Sequence, residues 1–156
     1  MNADMTISPV RNAHPPAAVG RVFTPTVRAL VRSPLGRFVR PFAVLRVTGR
    51  RTGRTRRIVV GWHEVDGRPV LFTPAPWRAN FADGPVHVTI RHRGHTRGWV
   101  ATLERDPVIV TDLLRTALAS GTKPRDFSLK IPDAHELTVA DVIAVDRAAI
   151  LLSPAR

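Results

Sequence analysis

Short β-type segments separated by tight turns occupy most of the chain from residue 42 to residue 104. The dipeptide Asp66-Gly67 is a strong hairpin signal, and apolar and polar residues alternate over residues 86–91 as in a half-buried strand. Helices do not alternate with these strands, which disfavours a doubly wound α/β fold. We therefore predict a mostly antiparallel barrel or curled sheet of six strands, over residues 42–48, 56–65, 69–73, 86–91, 99–104 and 148–153.

Helix signals flank the predicted strands. A hydroxyl residue followed by proline begins two predicted helical segments, over residues 24–33 and 34–40. Asp106-Pro107 begins a further helix that Gly121 closes, and a short helix is predicted over residues 138–146. Residues 74–83 are predicted to form a loop with one helical turn, and residues 122–137 an irregular connection.

The length of 156 residues suits one domain with a substantial core. We place this domain at residues 24–156, after a loose N-terminal leader over residues 1–23. The chain has no cysteine, which excludes disulfides and thiolate chemistry, and no apolar run near the roughly 18 residues that span a bilayer. The leader lacks the continuous apolar stretch of a secretory signal. We therefore expect a cytoplasmic protein.

Arginine dominates the charge of the chain. There are 24 basic and 12 acidic residues, a net charge of +12, and the only lysines are Lys123 and Lys130. Arginine is preferred where phosphate or carboxylate is bound by planar, forked contacts, although a GC-rich genome also supplies it. A basic balance alone allows nucleic acid, an anionic membrane or an anionic small molecule as the partner. The position of the arginines has to decide between them.

Residues 48–57 read TGRRTGRTRR, with five arginines and two glycines between two predicted strands. Glycines allow backbone N–H groups to turn inward into an anion-binding concavity, to which threonine hydroxyls and guanidinium groups add donors. The Walker spacing and its lysine are missing, so the segment is not a P-loop. It predicts a phosphate or carboxylate site, and the plain alternative is a solvated basic hairpin.

The order of these motifs resembles the deazaflavin-dependent nitroreductase/quinone reductase family. The resemblance covers about residues 34–105, including SPLGRF before the first strand. It is carried by residues 48–53 (TGRRTG), Arg56, the hairpin Asp66-Gly67, and then Trp77, Asn80 and Pro85. The family implies a split β-barrel of the FMN-binding/pyridoxamine phosphate oxidase-like type, here six-stranded and antiparallel, that binds coenzyme F-420.

The resemblance also implies roles for individual residues. By it, Arg50, Arg51, Thr52, Gly53 and Arg56 hold the phosphate and acidic tail of the cofactor. Arg57, Ile58 and Thr73 line the deazaflavin ring through their backbones, and Trp77 and Asn80 close the site from the loop after the third strand. No residue is assigned as catalytic, because the hydride chemistry belongs to the cofactor. Trp77 as a core anchor and Asn80 as a helix cap are the structural alternatives.

Two departures from the family pattern bear on the substrate. The loop TPAPW is short and has no lysine, whereas many members carry a longer Gly/Lys-containing loop there. The chain has no tyrosine, and Gly61 stands where the nitroreductase branch often has one. The resemblance thus implies an F-420-dependent oxidoreductase whose acceptor is a small molecule such as a quinone, with nitro reduction in doubt.

Several alternatives stay open at this stage. Related split barrels bind FMN or haem. FMN has one phosphate and no acidic tail, so it would contact fewer of the arginines. Haem would need an axial ligand, and none is identifiable in the sequence. A basic nucleic-acid-binding module has the charge in its favour but lacks RNP-like aromatics and helix-turn-helix spacing, so we expect no nucleic acid partner. The histidines show no metal-ligand spacing, and we predict no metal site. A monomer and a homodimer are both compatible, as is weak membrane-surface contact through the basic segment 21–40.

Overall fold

The computed structural model describes residues 7–13, Ala29 and residues 42–156. Ala29 is helical. The rest of the helices predicted over residues 24–33 and 34–40, and of the basic segment 21–40, lies outside the described residues. The described chain is mostly β, with few helices, as predicted.

Within the described residues, nine strands form two antiparallel sheets. A two-stranded sheet pairs β1 (Arg11–Asn12) with β8 (Leu129–Lys130). A seven-stranded sheet has the order β3-β2-β6-β7-β9-β5-β4. Its members are β2 (Phe42–Thr48), β3 (Thr55–Gly61), β4 (His63–Val65), β5 (Arg68–Thr73), β6 (Val86–His92), β7 (His95–Glu104) and β9 (Ala148–Pro154).

The larger sheet curls because its two edge strands are consecutive in the chain. β3 and β4 lie at opposite edges of the sheet, and only Trp62 separates them. The prediction of a split antiparallel barrel is confirmed, with seven strands instead of six. The strand predicted over residues 56–65 is interrupted at Trp62, where the chain leaves β2 and begins to pair with β5.

A gap between β3 and β5 is the split of this barrel. β4 pairs with β5 only as far as His63 and Val70, so residues 71–73 are paired with β9 alone. β3 is paired with β2 alone and lies close to β5. Two strand edges with open backbone groups therefore face the split in the described part of the chain.

Alternate residues of the strands fill the barrel. Leu45, Leu71, Ile90 and Ile150 are at most 1% exposed, and Phe81 covers them from the loop after β5. Burying each such side chain contributes about 1.5–3 kcal/mol. The register of β2 and β3 follows from this pattern, because a slip of one residue would move the apolar set to the outer face.

Two helices build a second core against the other side of the sheet. Helix α1 (Pro107–Ala119) begins at Asp106, whose Oδ1 accepts from Val108 N at 2.8 Å. Helix α2 (Val139–Ala144) begins with a capping box between Thr138 and Asp141. Both helices fall where they were predicted. This second core is formed by buried residues of both helices and their neighbours, among them Val110, Leu114, Phe127, Leu129, Val142 and Val10.

The connections also follow the predicted plan in outline. The loop after β5 contains one 3-10 helix, Pro76–Phe81. The connection predicted as irregular over residues 122–137 holds a 3-10 helix, Pro124–Phe127, and the short strand β8. Among the described residues no helix is both long enough and apolar enough to cross a membrane.

Candidate functional site

The arginine turn, residues 49–54, joins β2 to β3. Gly49 N–H donates to Arg54 O at 2.8 Å, and Gly53 N–H donates to Gly49 O at 2.9 Å. Gly53 has a φ of +64°, and a side chain on Gly49 would start 2.8 Å from Thr52 Oγ1. Both glycines are therefore needed for the turn, as the sequence pattern predicts.

The basic side chains around this turn divide between the two faces of the sheet. Arg56 is paired with Val47 and lies on the face that carries the barrel core, at its rim. Arg57 is paired with Arg46 and lies on the outer face. There it lines a depression of about 200 Å³ together with Val44, Arg46, Thr89, Arg91 and Thr96. The side chain of Arg57 thus lies on the opposite face of the sheet from that of Arg56.

Asn80 connects the arginine turn to the loop after β5. Its side-chain oxygen accepts from Arg50 N–H at 2.9 Å, and its Nδ2 donates to Trp77 O at 2.8 Å. The guanidinium of Arg50 also forms an ion pair with Asp83. The fold therefore brings together three predicted site residues, Arg50, Trp77 and Asn80. Asn80 positions Arg50 and Trp77, because its side-chain oxygen and nitrogen both form hydrogen bonds within the protein.

Arg78 fixes the other side of this loop. Its NH2 donates to both carboxylate oxygens of Asp146 at 2.8 Å, and its NH1 donates to Asp146 O at 2.6 Å. The Arg78 side chain is only 16% exposed, so this forked contact is shielded more than most surface ion pairs. The loop that carries Trp77 is therefore held at two points.

A cavity of about 220 Å³ occupies the split, and we call it the split cavity. Thr73 and Trp77, both predicted site residues, line it together with Gly61, Leu71, Ala75 and Arg147. Thr73 is 6% exposed, and its Oγ1 accepts from Ala75 N at 3.0 Å, which leaves the hydroxyl proton as a donor. Ile58 is half buried against the barrel core beside this region.

His63 fills the space next to Gly61. A side chain on Gly61 would start 2.9 Å from His63 Nε2. The imidazole packs between Phe127 and Phe72, with ring centroids 4.4 and 5.8 Å away. Burial lowers the pKa of His63 to about 4, Asp126 raises it in part, and Arg147 lowers it further. His63 is therefore neutral at pH 7.

Arg147 lines the split cavity and was not among the predicted site residues. It is 6% exposed and lies between α2 and β9 in the chain. Burial lowers its pKa to about 10, so the guanidinium stays charged at neutral pH. The only sequence signal was one arginine next to a run of buried apolar residues, AAILL, where charged residues are rare.

Comparison with known proteins gives only distant similarities. No protein-family model matches the chain, and no curated protein sequence matches it. Its structure is similar to that of the conserved hypothetical protein Rv2991 from Mycobacterium tuberculosis, with 16% identity and a TM-score of 0.49 over 93% of this chain and 84% of that one. It is also similar to a solved structure named F420 Reductase, with 15% identity and a TM-score of 0.43 over 75% of this chain and 89% of that one.

Proposed function

We propose that this chain is an oxidoreductase that binds coenzyme F-420 and transfers a hydride from it to a small organic acceptor such as a quinone. The observation that carries the proposal is the hydrogen bond between Arg50 and Asn80, which brings the arginine turn against the loop that borders the split cavity. A charged surface for an acidic tail and a partly open cavity for the edge of a ring are thus adjacent.

The residues present fit the two halves of such a cofactor. Arg51, Arg54 and Arg56 are exposed and have no carboxylate partner in the described part of the chain, so their charge is available to a phosphodiester and to glutamate carboxylates. The open backbone edges of β3 and β5 offer donors and acceptors to the polar edge of a deazaflavin. When bound, this cofactor supplies a hydride, and the protein has to orient the ring and exclude water.

The size of the split cavity sets how the cofactor would lie. Its volume of about 220 Å³ is below the roughly 300–1,000 Å³ of pockets that enclose a drug-sized ligand. Only one edge of the ring would therefore enter the split, beside Thr73 and Trp77, and the rest of the ring and the tail would lie outside it, over the arginine turn. FMN has one phosphate and no acidic tail, so it would use this charged surface less fully.

Parallel titrations test the proposal. Calorimetry with F-420 and with FMN, each at low and at high salt, should show tighter binding of F-420, and the difference should shrink with salt because screening weakens exposed charge contacts. The double variant Arg51→Ala/Arg54→Ala should lose at least tenfold in F-420 affinity. The variant Arg105→Ala/Arg125→Ala removes the same charge from exposed positions elsewhere, after β7 and in the 3-10 helix Pro124–Phe127, and should keep most of the affinity.

Three results would contradict the proposal. They are absence of F-420 binding, equal affinity for FMN and F-420 at low salt, and equal losses in the two double variants. An acceptor screen with whichever cofactor binds would then identify the reaction.

A further inference from the structure

A buried cation lies at the split cavity, and the described residues give it no counter-ion. Arg147 NH2 donates to Asn12 Oδ1 at 2.8 Å and to Ser128 O at 3.1 Å, and both acceptors are neutral. Its Nε–H is buried and has no hydrogen-bond partner among the described residues. None of the ion pairs in the described part of the chain includes Arg147. Buried charges are normally paired, so this guanidinium has capacity for an anion.

The surroundings hold this guanidinium in one place. Asn12 donates its own Nδ2–H to Val145 O at 2.9 Å, which orients its oxygen toward Arg147. Ser128 has a φ of +54°, and its carbonyl oxygen also accepts from Ala13 N–H at 2.7 Å. Strand β1 thus anchors the guanidinium from one side and the turn before β8 from the other. A cation oriented before a ligand arrives does not have to be ordered on binding.

The rest of the split cavity suits a small molecule that has both polar and apolar parts. Phe72, Leu71 and Trp77 supply apolar and aromatic walls, and the Thr73 hydroxyl is a polar group near them. The volume of about 220 Å³ equals roughly seven water volumes. His63 lies behind Gly61 and brings no second positive charge, because it is neutral at pH 7. The single cation matches an anion of charge −1.

We infer that Arg147 binds the carboxylate of a small planar ligand in the split cavity. The assignment of this ligand as the hydride acceptor rests on the proposed function, whereas the carboxylate site itself does not. Phosphate suits the exposed arginine turn better, where several guanidinium groups meet. The acceptor class that follows is an aromatic or quinonoid compound that carries a carboxylate on its ring.

The direct test uses benzoate and its uncharged analogue benzamide, without cofactor. The Nε–Hε resonance of Arg147, assigned by its absence in Arg147→Met, should shift on addition of benzoate and stay in place with benzamide. Benzoate affinity should fall at least tenfold in Arg147→Met and less in Arg147→Lys, which keeps the charge. Arg115→Met is the control, since the Arg115 guanidinium also donates to a backbone carbonyl, that of Leu137, but lies outside the cavity.

Each outcome of this test decides the inference. Equal binding of benzoate and benzamide, or equal benzoate affinity in wild type and Arg147→Met, would show that Arg147 only ties β1 to the barrel. If Arg147→Met does not fold, the resonance is assigned by its absence in Arg147→Lys, and the shift of the Nε–Hε signal in the wild type and the benzoate affinity of Arg147→Lys still decide. An unmoved resonance would reject the site.

A second measurement separates this inference from the proposed function. With reduced F-420, Arg147→Met should raise KM at least tenfold more for a quinone that carries a ring carboxylate than for the same quinone without it. Equal changes in KM for both quinones would show that Arg147 does not bind a carboxylate of the hydride acceptor. Failure of F-420 to bind, with benzoate binding intact, would reject the proposed function and keep the site.

Discussion

The side-chain oxygen of Asn80 accepts the backbone N–H of Arg50 at 2.9 Å, across thirty residues of sequence. The same side chain donates to Trp77 O at 2.8 Å. One carboxamide therefore sets the position of the loop after β5 relative to the arginine turn. The two proposed halves of the cofactor site depend on this link.

Removal of the Asn80 carboxamide should separate those two halves. In Asn80→Ala both hydrogen bonds are lost, at a cost of about 1–3 kcal/mol in the free energy of unfolding if each contributes 0.5–1.5. We expect F-420 affinity to fall about tenfold, because the loop with Trp77 is no longer held against the turn. Urea unfolding and calorimetric titration measure the two effects. Unchanged affinity alongside reduced stability would show that the link is structural only.

The ion pair between Arg50 and Asp83 gives a prediction of opposite sign. Asp83 lies beside the arginine turn and partly neutralises Arg50, and both side chains are exposed. Asp83→Ala should therefore tighten F-420 binding two- to fivefold at low salt, while Arg50→Ala should weaken it. Asp112→Ala makes the same charge change at an exposed position on α1 and serves as the control. If Asp112→Ala tightens binding as much as Asp83→Ala, the effect comes from net charge and not from the turn.

Gly61 should tolerate no side chain while His63 is present. A Cβ at this position would lie 2.9 Å from His63 Nε2, and the ring cannot retreat easily because Phe127 and Phe72 pack against it. We expect Gly61→Ala to lower the free energy of unfolding by about 1–3 kcal/mol. In the background His63→Ala the same substitution should cost much less. A double-mutant cycle by urea unfolding checks this, and additive effects would contradict the predicted contact.

Stability should fall with acid through the titration of His63. Burial lowers its pKa from 6.5 to about 4 in the folded protein, so the unfolded chain binds the proton more readily between these values. Neutral His63 contributes fully to the free energy of unfolding above about pH 6.5. This contribution is lost as pH falls toward 4, by up to about 3 kcal/mol. Urea unfolding from pH 7.5 to 4.5 measures it. His63→Gln should show a flatter profile, and an identical profile would assign the loss to other groups.

The sequence predicts this fold well because local signals determine most of it. Asp66-Gly67 and the glycines of the arginine turn place the hairpins, and Asp106 and Thr138 place the helix starts. The sequence does not predict the interruption of the strand at Trp62. It arises only when the sheet curls, because residues before Trp62 then pair with β2 and residues after it pair with β5. Residues on adjacent positions of a strand face opposite ways, so the separation of Arg56 from Arg57 could have been predicted.

The contacts that shape the site are less accessible to sequence reasoning. The links from Asn80 to Arg50 and from Arg78 to Asp146 join residues that are 30 and 68 positions apart, and no local pattern marks them. Arg147 has a role only because β1, the turn before β8 and the end of α2 meet around it. Such sites depend on tertiary packing, whereas the arginine turn is contained in one hairpin.

The choice of acceptor gives the last prediction. Hydride transfer to a quinone leaves an anionic oxygen that needs hydrogen-bond donors and then a proton. The chain has no tyrosine, and a side chain at Gly61 would collide with His63. The donors at the split cavity are then Thr73, backbone N–H groups and Arg147, and a guanidinium is a poor proton source. Protonation therefore falls to solvent, which suits quinones, because the hydroquinone monoanion left by the hydride can take its remaining proton from water. Bicyclic nitroimidazoles need delivered protons and should react slowly or not at all. Steady-state rates measure the difference, with menadione and a nitroimidazole at equal concentration and reduced F-420 in both cases. Faster turnover of the nitro compound would show that a proton donor exists in the split cavity.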